Sequence, residues 1–575
     1  MASEKLSSVE FVKEGSNYLR GNIAAELVDG TDVFPKETTQ LLKFHGTYQQ
    51  DDRDQRTARA GAKSQRHFIF MVRSKIPSGK LTSQQLLAEL DLCEEVGNST
   101  LRITTRQGLQ LHGVVKGNLK RAISRINEIK LSTLGACGDV NRNVMCCPAP
   151  HYHSPVHRQM QETAETLAAY FAPRSSAYRE IWLTDIESGE QTMVDSVPPD
   201  QVVEPIYGSN SLPRKFKMAI ALPEDNCIDV YANDLGILAI CENDQIIGYN
   251  LSVGGSFGVT PSNKKTFPAI GKRLAFCTPD QLIDVATAIV RVQKEYGNRS
   301  DRKVARLKYL LAEKGVPWFK QQVEEFYGHK LPDPHPLDVH GFDDHMGWHE
   351  QGDGRVFYGL NVENGRIRDE GEFRLKTAIR KICHTWNPGI RLTGHQSILF
   401  TDLDPEVRPE LEAILREHGV PLTEDITNVR RWSMACPAWP TCGLAITESE
   451  RVLPSMIDQL EVEVARLGLS SEEFTIRMTG CPNGCARPYN SDIGLVGKAM
   501  GKYTLLVGGR KLGDRLNFIY KDMVPADEVV STIVPLLVYF KHDRQEGETF
   551  GDFCHRKGAE DLANWAEQYV SAEAA

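Results

Sequence analysis

The sequence predicts an α+β fold, internally duplicated, whose mixed α/β domains are related by a pseudo-twofold and wrapped by an N-terminal arm. Three observations carry this prediction. Two motif pairs recur at one offset, a second offset follows in the same order, and strand-like and helix-like apolar spacings alternate within each copy.

A shift of 289 positions lays Arg102-Ile-Thr-Thr-Arg-Gln107 on Arg391-Leu-Thr-Gly-His-Gln396, and without a gap lays Arg142-Asn-Val-Met-Cys-Cys-Pro-Ala149 on Arg431-Trp-Ser-Met-Ala-Cys-Pro-Ala438. A second offset, 258, aligns Phe216 with Phe474, Cys227 with Cys485, Tyr231 with Tyr489, and Asp234-Leu-Gly236 with Asp492-Ile-Gly494. The change of offset places extra sequence in the first copy, within the Ser-, Pro- and acid-rich stretch 172–210. Within the first copy, His67 to Val72 and Leu101 to Thr105 read as strands, and Ser83 to Val96 and Leu119 to Ile129 as helices. The same order recurs around 354–420, as a duplicated α+β unit requires. The charged tail 1–65, with Gln-Gln-Asp-Asp-Arg-Asp-Gln-Arg at 49–56, reads as the arm, although a solvated terminus explains it equally well.

Composition narrows the function classes. At 575 residues the chain has room for several domains, and 41% hydrophobic with 25% charged residues is ordinary for a globular protein. The longest apolar run, Val529 to Phe540, contains Ser531, Thr532 and Pro535 and is shorter than the roughly 20 residues of a membrane span. The N-terminus shows neither a signal peptide nor a transit peptide, so a cytoplasmic location is expected, with no membrane partner. Thirteen cysteines, an odd number in a large chain, point to thiols or metal ligands rather than a disulfide framework. A net charge of −9 offers no bulk attraction for nucleic acid, so anion sites must come from local groups of Arg and Lys.

The strongest chemical signal is Cys436-x5-Cys442 followed by Cys481-x3-Cys485, four thiols in two pairs. That number suits an iron–sulfur cluster or a tetrahedral zinc, and the lack of a short C-x2-C knuckle favours the cluster; buried free cysteines are the third alternative. Pro482, Gly484 and Pro488 argue for an irregular turn whose backbone N–H groups could face sulfur. Among the basic residues, Lys215 and Lys217 alternate, so on a strand both would point to one face.

The run Met434-Ala-Cys-Pro-Ala-Trp-Pro-Thr-Cys-Gly-Leu-Ala445, with Thr479-Gly-Cys-Pro-Asn-Gly-Cys-Ala-Arg-Pro488, closely resembles the signature of the sulfite and nitrite reductases that carry siroheme. The likeness extends from Asn17-Tyr-Leu-Arg-Gly21 through Gln50-Asp-Asp-Arg53 to Phe550-Gly-Asp-Phe553. It implies siroheme and a 4Fe–4S cluster as cofactors. Cys436, Cys442, Cys481 and Cys485 would be the cluster ligands, and Cys485 also the bridge to siroheme iron. It implies ferredoxin-like half-repeats at 66–135 and 346–422, a first siroheme- and substrate-binding domain at 136–345, and a cluster- and siroheme-binding domain at 423–575. Cys147 and Cys227 occupy positions equivalent to Cys436 and Cys485, yet Cys442 and Cys481 have no equivalents, so the first copy cannot hold a four-thiolate cluster.

The resemblance further places Arg106, Arg142, Lys215 and Lys217 around the substrate, the arginines orienting oxygens and the lysines polarising S–O bonds and relaying protons. Buried cations there would offset the desolvation of a dianion. Arg214, Gln107, Gln110 and His112 would contact siroheme carboxylates, with sheet packing as the competing role. Arg391 and Arg431 would face the macrocycle from the second copy, and His349 and His395 carry weaker signals. The activity implied is an assimilatory six-electron reduction of sulfite to sulfide. Nitrite reduction to ammonia is the alternative, and Lys217 and His112 stand where the nitrite enzymes carry Asn and Arg. No dinucleotide fingerprint follows a strand, so electrons must come from a partner: ferredoxin is expected, an NADPH-dependent flavoprotein less favoured.

Overall fold

Period-2 patterning in Phe68–Ser74 and Leu109–Val114 splits each strand into an apolar face and a face carrying Arg73, Gln110 and His112. The computed structural model describes residues 5–56, 66–175, 177, 204–261 and 263–569, and the backbone alone of 181–184, 191–195 and 570–573. In it these strands form the centre of a five-stranded sheet in the order Thr47–Asp51, Phe68–Ser74, Leu109–Val114, Leu101–Ile103, Arg366–Ile367. Phe70, Val72, Leu101, Leu109 and Leu111 bury against the helices Ser83–Glu95 and Leu119–Glu128, whose Leu86, Leu90, Ala122 and Ile126 supply the facing stripe. The first helix opens on a capping box, Thr82 accepting from the Gln85 backbone while the Gln85 side chain returns to the Thr82 N–H. The opposite face of the sheet, with Arg73, Arg102, Gln110 and His112, turns away from these helices.

A second sheet repeats the plan: Gly347–Glu350, Val356–Leu360, Ile398–Leu403, Gly389–Leu392 and Lys80–Thr82. The last strand belongs to the first copy, just as Arg366–Ile367 in the first sheet belongs to the second. Each half thus completes the other's sheet, and both share one apolar core. The helices Ser83–Glu95 and Leu375–Trp386 meet across the pseudo-twofold, where Lys376 lies 2.9 Å from Glu94 and Arg380 2.5 Å from Asp91.

The duplication also holds in two larger sheets. Met145–Cys146, Met218–Ala221, Leu235–Glu242, Gln245–Val253 and Lys272–Cys277 pair parallel, parallel, antiparallel, antiparallel. Ser433–Ala435, Ile476–Thr479, Ile493–Ala499, Lys502–Val507 and Phe518–Pro525 do the same. Strands starting at Met218 and Leu235 correspond, at the second offset, to those starting at Ile476 and Ile493. Within the expected insertion at 172–210, Ile181–Thr184 pairs antiparallel with Gln191–Asp195, and 176, 178–180, 185–190 and 196–203 lie outside the described residues.

The arm is anchored at both ends of its described length. Lys13, fully buried, pairs with Glu10 at 2.6 Å and donates to the Leu212 carbonyl at 2.9 Å. Arg53 donates from Nε to the Pro440 carbonyl (2.9 Å), from Nη1 to Ala445 (2.9 Å) and from Nη2 to Cys442 (2.6 Å), and its guanidinium lies 3.7 Å over the Trp439 ring. A solvated terminus does not account for these contacts. Among the described residues no helix is long and apolar enough to cross a membrane.

Candidate active site

Parallel strands Ser433–Ala435 and Ile476–Thr479 end side by side, so the two loops that follow them bring Cys436, Cys442, Cys481 and Cys485 to one place. The second loop is irregular from Cys481 to Pro488, with Gly484 at φ 62°, as its prolines and glycine dictate. Gly480 N–H points at Cys436 Sγ (3.5 Å) and Asn483 Nδ2 at Cys481 Sγ (3.5 Å). Burial pushes the Cys481 thiol up to about 12, so a metal must displace its proton on binding.

Cys485 is the exposed member of the set and the one that borders a cavity between the two copies. Its carbonyl accepts from Thr105 Oγ1 at 3.0 Å, which ties the cluster loop to the first half-sheet. Among the described residues five cations border the cavity, Arg106, Lys215, Lys217, Arg306 and Arg487, and no carboxylate does. Arg306 is held by Asp234 at 2.7 Å and Arg487 by Asp229, whereas Arg106, Lys215 and Lys217 have no ion-pair partner among the described residues. Burial lowers Lys215 to about 7, helped by Arg306 and Arg214, and depresses Lys217 further, where Arg106 and Lys215 add like charge. Lys215 and Lys217 precede the strand Met218–Ala221 instead of lying on it. Phe216 between them makes a single bridge to Asn141 and is fully buried, so both ammonium groups still reach the cavity.

The other sequence candidates are placed differently. Arg142 stands behind the cavity wall, its guanidinium donating to the Gly138 (2.9 Å) and Ala136 (3.2 Å) carbonyls. Gln107 is fully buried, and its amide bonds Cys146 O (2.8 Å), Leu392 O (3.0 Å) and Cys146 N (3.2 Å), so it fastens the halves together. Gln110 packs beside Arg73 on the neighbouring strand. Arg214 lies 3.7 Å from Asp139, under the arm. Neither Arg391 nor Arg431 borders the cavity: Arg391 lines a separate cleft, and Arg431 grips Asp344 with two bonds of 2.5 Å. His349 stacks on Phe357, and His395 packs between Phe342 and Trp432. His112 is buried with both ring nitrogens unpartnered, held neutral by burial and by Arg366 and Arg102. Arg306 and Arg487 were missed from the sequence. The position of Arg487, two residues beyond Cys485, was the signal available; Arg306 had none.

Residues 137–331 and 427–573 match the nitrite and sulphite reductase 4Fe-4S domain, and residues 62–129 and 349–418 match the nitrite/sulfite reductase ferredoxin-like half domain. The chain belongs to the nitrite and sulfite reductase family. It is 43% identical to the NADPH sulfite reductase hemoprotein beta-component of Staphylococcus saprophyticus, covering 97% of this chain and 96% of that one. It is 42% identical to the protein of the same name from Geobacillus kaustophilus, with 96% of each chain covered. The solved structure of the Mycobacterium tuberculosis NirA protein superposes with a TM-score of 0.79 at 23% identity, over 97% of this chain and 98% of that one, which shows the fold.

Siroheme and a 4Fe–4S cluster are the cofactors that go with this membership. The residues present fit both. Four thiols on two adjoining loops, with the Gly480 N–H turned to Cys436 Sγ, suit the cluster. The unpartnered Arg106 Nε, beside Lys215 and Lys217, which also lack ion-pair partners among the described residues, suits a polyanionic macrocycle. The Arg53 clamp on the Cys442 loop gives a prediction. Arg53→Ala should weaken cluster retention roughly 10- to 100-fold, the usual range for groups that support metal ligands, read as iron per chain after gel filtration.

Proposed function

We propose that the chain reduces sulfite to sulfide at a siroheme joined through Cys485 to a 4Fe–4S cluster held by Cys436, Cys442, Cys481 and Cys485. The observation that carries this reading is the cavity where Cys485 meets five cations and no carboxylate. When bound there, the cofactors would relay to sulfite the six electrons that an external donor supplies.

The chain's own residues handle charge and protons. Lys215 and Lys217, unpaired and depressed toward neutrality, are able both to attract a dianion and to give up a proton as each oxygen departs as water. Arg106 is fixed by Asn233 Oδ1 (2.8 Å) and Met218 O (3.2 Å), which leaves its Nε–H free to orient an oxygen. Arg142 contributes positive field from behind the wall. Arg306 and Arg487, already neutralised by aspartates, set the shape of the pocket more than its charge. On this reading 1–65 is the arm, 66–135 and 346–422 the half-repeats, 136–345 the first siroheme- and substrate-binding domain, and 423–575 the cluster domain. Nitrite needs one cation fewer, so three unpaired cations favour sulfite.

The donor we propose is an NADPH-dependent flavoprotein. Ferredoxin, expected from the sequence, is not supported by relatives that are named as components of NADPH enzymes. With a chemical reductant, the purified holoprotein should turn sulfite into sulfide with higher kcat/KM than it turns nitrite into ammonia; the reverse order would reject the substrate. Supplied with NADPH and a sulfite reductase flavoprotein, it should form sulfide at least tenfold faster than with reduced ferredoxin, and the opposite ranking would restore ferredoxin.

A further inference from the structure

The pseudo-twofold that sets Cys436 and Cys485 at the cluster sets Cys147 and Cys227 at the matching point of the first copy, away from it. There the two thiols meet residues that the repeat does not predict. Asp225 and His345 join them, and one donor atom from each of the four lies within 4.8 Å of every other. All four side chains are buried.

We infer that Cys147, Asp225, Cys227 and His345 form a closed four-ligand site for one structural zinc ion. This goes beyond the proposed activity and does not depend on it.

The geometry is that of a coordination sphere with its support in place. His345 Nε2 lies 3.2 Å from Cys147 Sγ and 3.0 Å from Asp225 Oδ2, a few tenths of an ångström inside the roughly 3.3–3.6 Å that separates N, O and S ligands around tetrahedral zinc. The other oxygen, Asp225 Oδ1, accepts the backbone N–H groups of Cys227 (3.0 Å) and Asp343 (3.2 Å), which aims Oδ2 inward. The far ring nitrogen, His345 Nδ1, is buried without a hydrogen bond and faces the Asp343 carboxylate at 3.6 Å, the carboxylate–imidazole–metal order of many zinc sites. Two sulfurs select zinc over magnesium or calcium, and four protein ligands with no open position make the site structural, not catalytic. A way in exists. His151 and His157 line a solvent-open cleft with Lys80, Tyr152 and Arg391, their rings 4.8 Å apart, and the His151 ring is 5.9 Å from that of His345.

The ion would join three segments far apart in sequence: the end of the strand Met145–Cys146, the turn at 225–227, and the segment leading into Gly347–Glu350. Met145 and Ile228, one or two residues from the cysteines, border the substrate cavity, so the same ion would fix that wall.

The test is elemental analysis and zinc-edge X-ray absorption on the holoprotein, a spectrum that iron does not obscure. About one zinc per chain is expected, with two sulfurs near 2.3 Å and two nitrogen or oxygen ligands near 2.0–2.1 Å. Cys227→Ala and His345→Gln should each reduce zinc to below about a tenth of an equivalent while the iron content stays at the wild-type level. Zinc at trace level in the wild-type protein from zinc-supplied cells would overturn the inference. So would a Cys147–Cys227 disulfide in its unreduced peptides, or bound zinc with no sulfur neighbours. These outcomes are read whether or not the protein turns over sulfite, so failure here and failure of the proposed activity are separate results.

Discussion

Cys485→Ser should abolish sulfite reduction, with turnover falling more than about a hundredfold, while the chain stays folded. Cys485 is the exposed cysteine of the four and borders the cavity, so its side chain contributes little packing. Its backbone carbonyl, which holds Thr105, is unchanged by the substitution. A serine hydroxyl is a harder and far less acidic ligand than a thiol, and cannot give iron the thiolate that a bridge requires. Circular dichroism should therefore match wild type while iron per chain and sulfide output fall. Near-normal turnover in this variant would remove Cys485 from the reaction. Cys481→Ser supplies the contrast: it alters a buried member of the four and should cost cluster iron and packing together.

Lys217→Asn should lower kcat/KM for sulfite by about 10²–10⁴, the range for loss of a positioned acid, and lower that for nitrite much less. Charge count sets the difference. Arg106, Lys215 and Lys217 are the cavity cations without ion-pair partners, and a dianion loses more than a monoanion when one is removed. The pH dependence has a definite sign. Burial lowers Lys215 to about 7, so the empty site sheds that proton as pH rises above 7, and an arriving anion must restore it. KM for sulfite should then rise above pH 7 by up to about tenfold per unit, and Lys215→Met should flatten the rise. Equal losses on both substrates in Lys217→Asn would sink the preference for sulfite, leaving the family and its cofactors untouched.

Much of this architecture was legible because it is local or repeated. Helix Ser83–Glu95 and strand Leu101–Ile103 follow from spacing within a dozen residues, and the offset of 258 lands on the first residues of matching strands. The cysteine loops were readable for the same reason, since Pro482, Gly484 and Pro488 exclude regular structure by themselves. What escaped depends on distant partners. Arg53 meets the Cys442 loop from the far end of the chain, and Arg306 reaches the cavity only because Asp234 holds it there. Arg431 and Arg391 show how duplicated positions diverge. Arg431 acquired Asp344 as a partner, and Arg391 took a place on another cleft, although both still match the first copy in sequence. Gln107 bonds across the junction between halves, a role that sequence alone cannot tell from that of a ligand.

The reciprocal strands at Lys80–Thr82 and Arg366–Ile367 impose a schedule on biosynthesis. The edge of Leu101–Ile103 stays open on the nascent chain until the ribosome has delivered Arg366, some tens of seconds later at about 5–20 residues per second. Lys80–Thr82 likewise waits for Gly389–Leu392 before it has a neighbour. Neither half-sheet can be finished as an independent fragment, so a chain stalled before Arg366 presents unpaired backbone to other stalled chains.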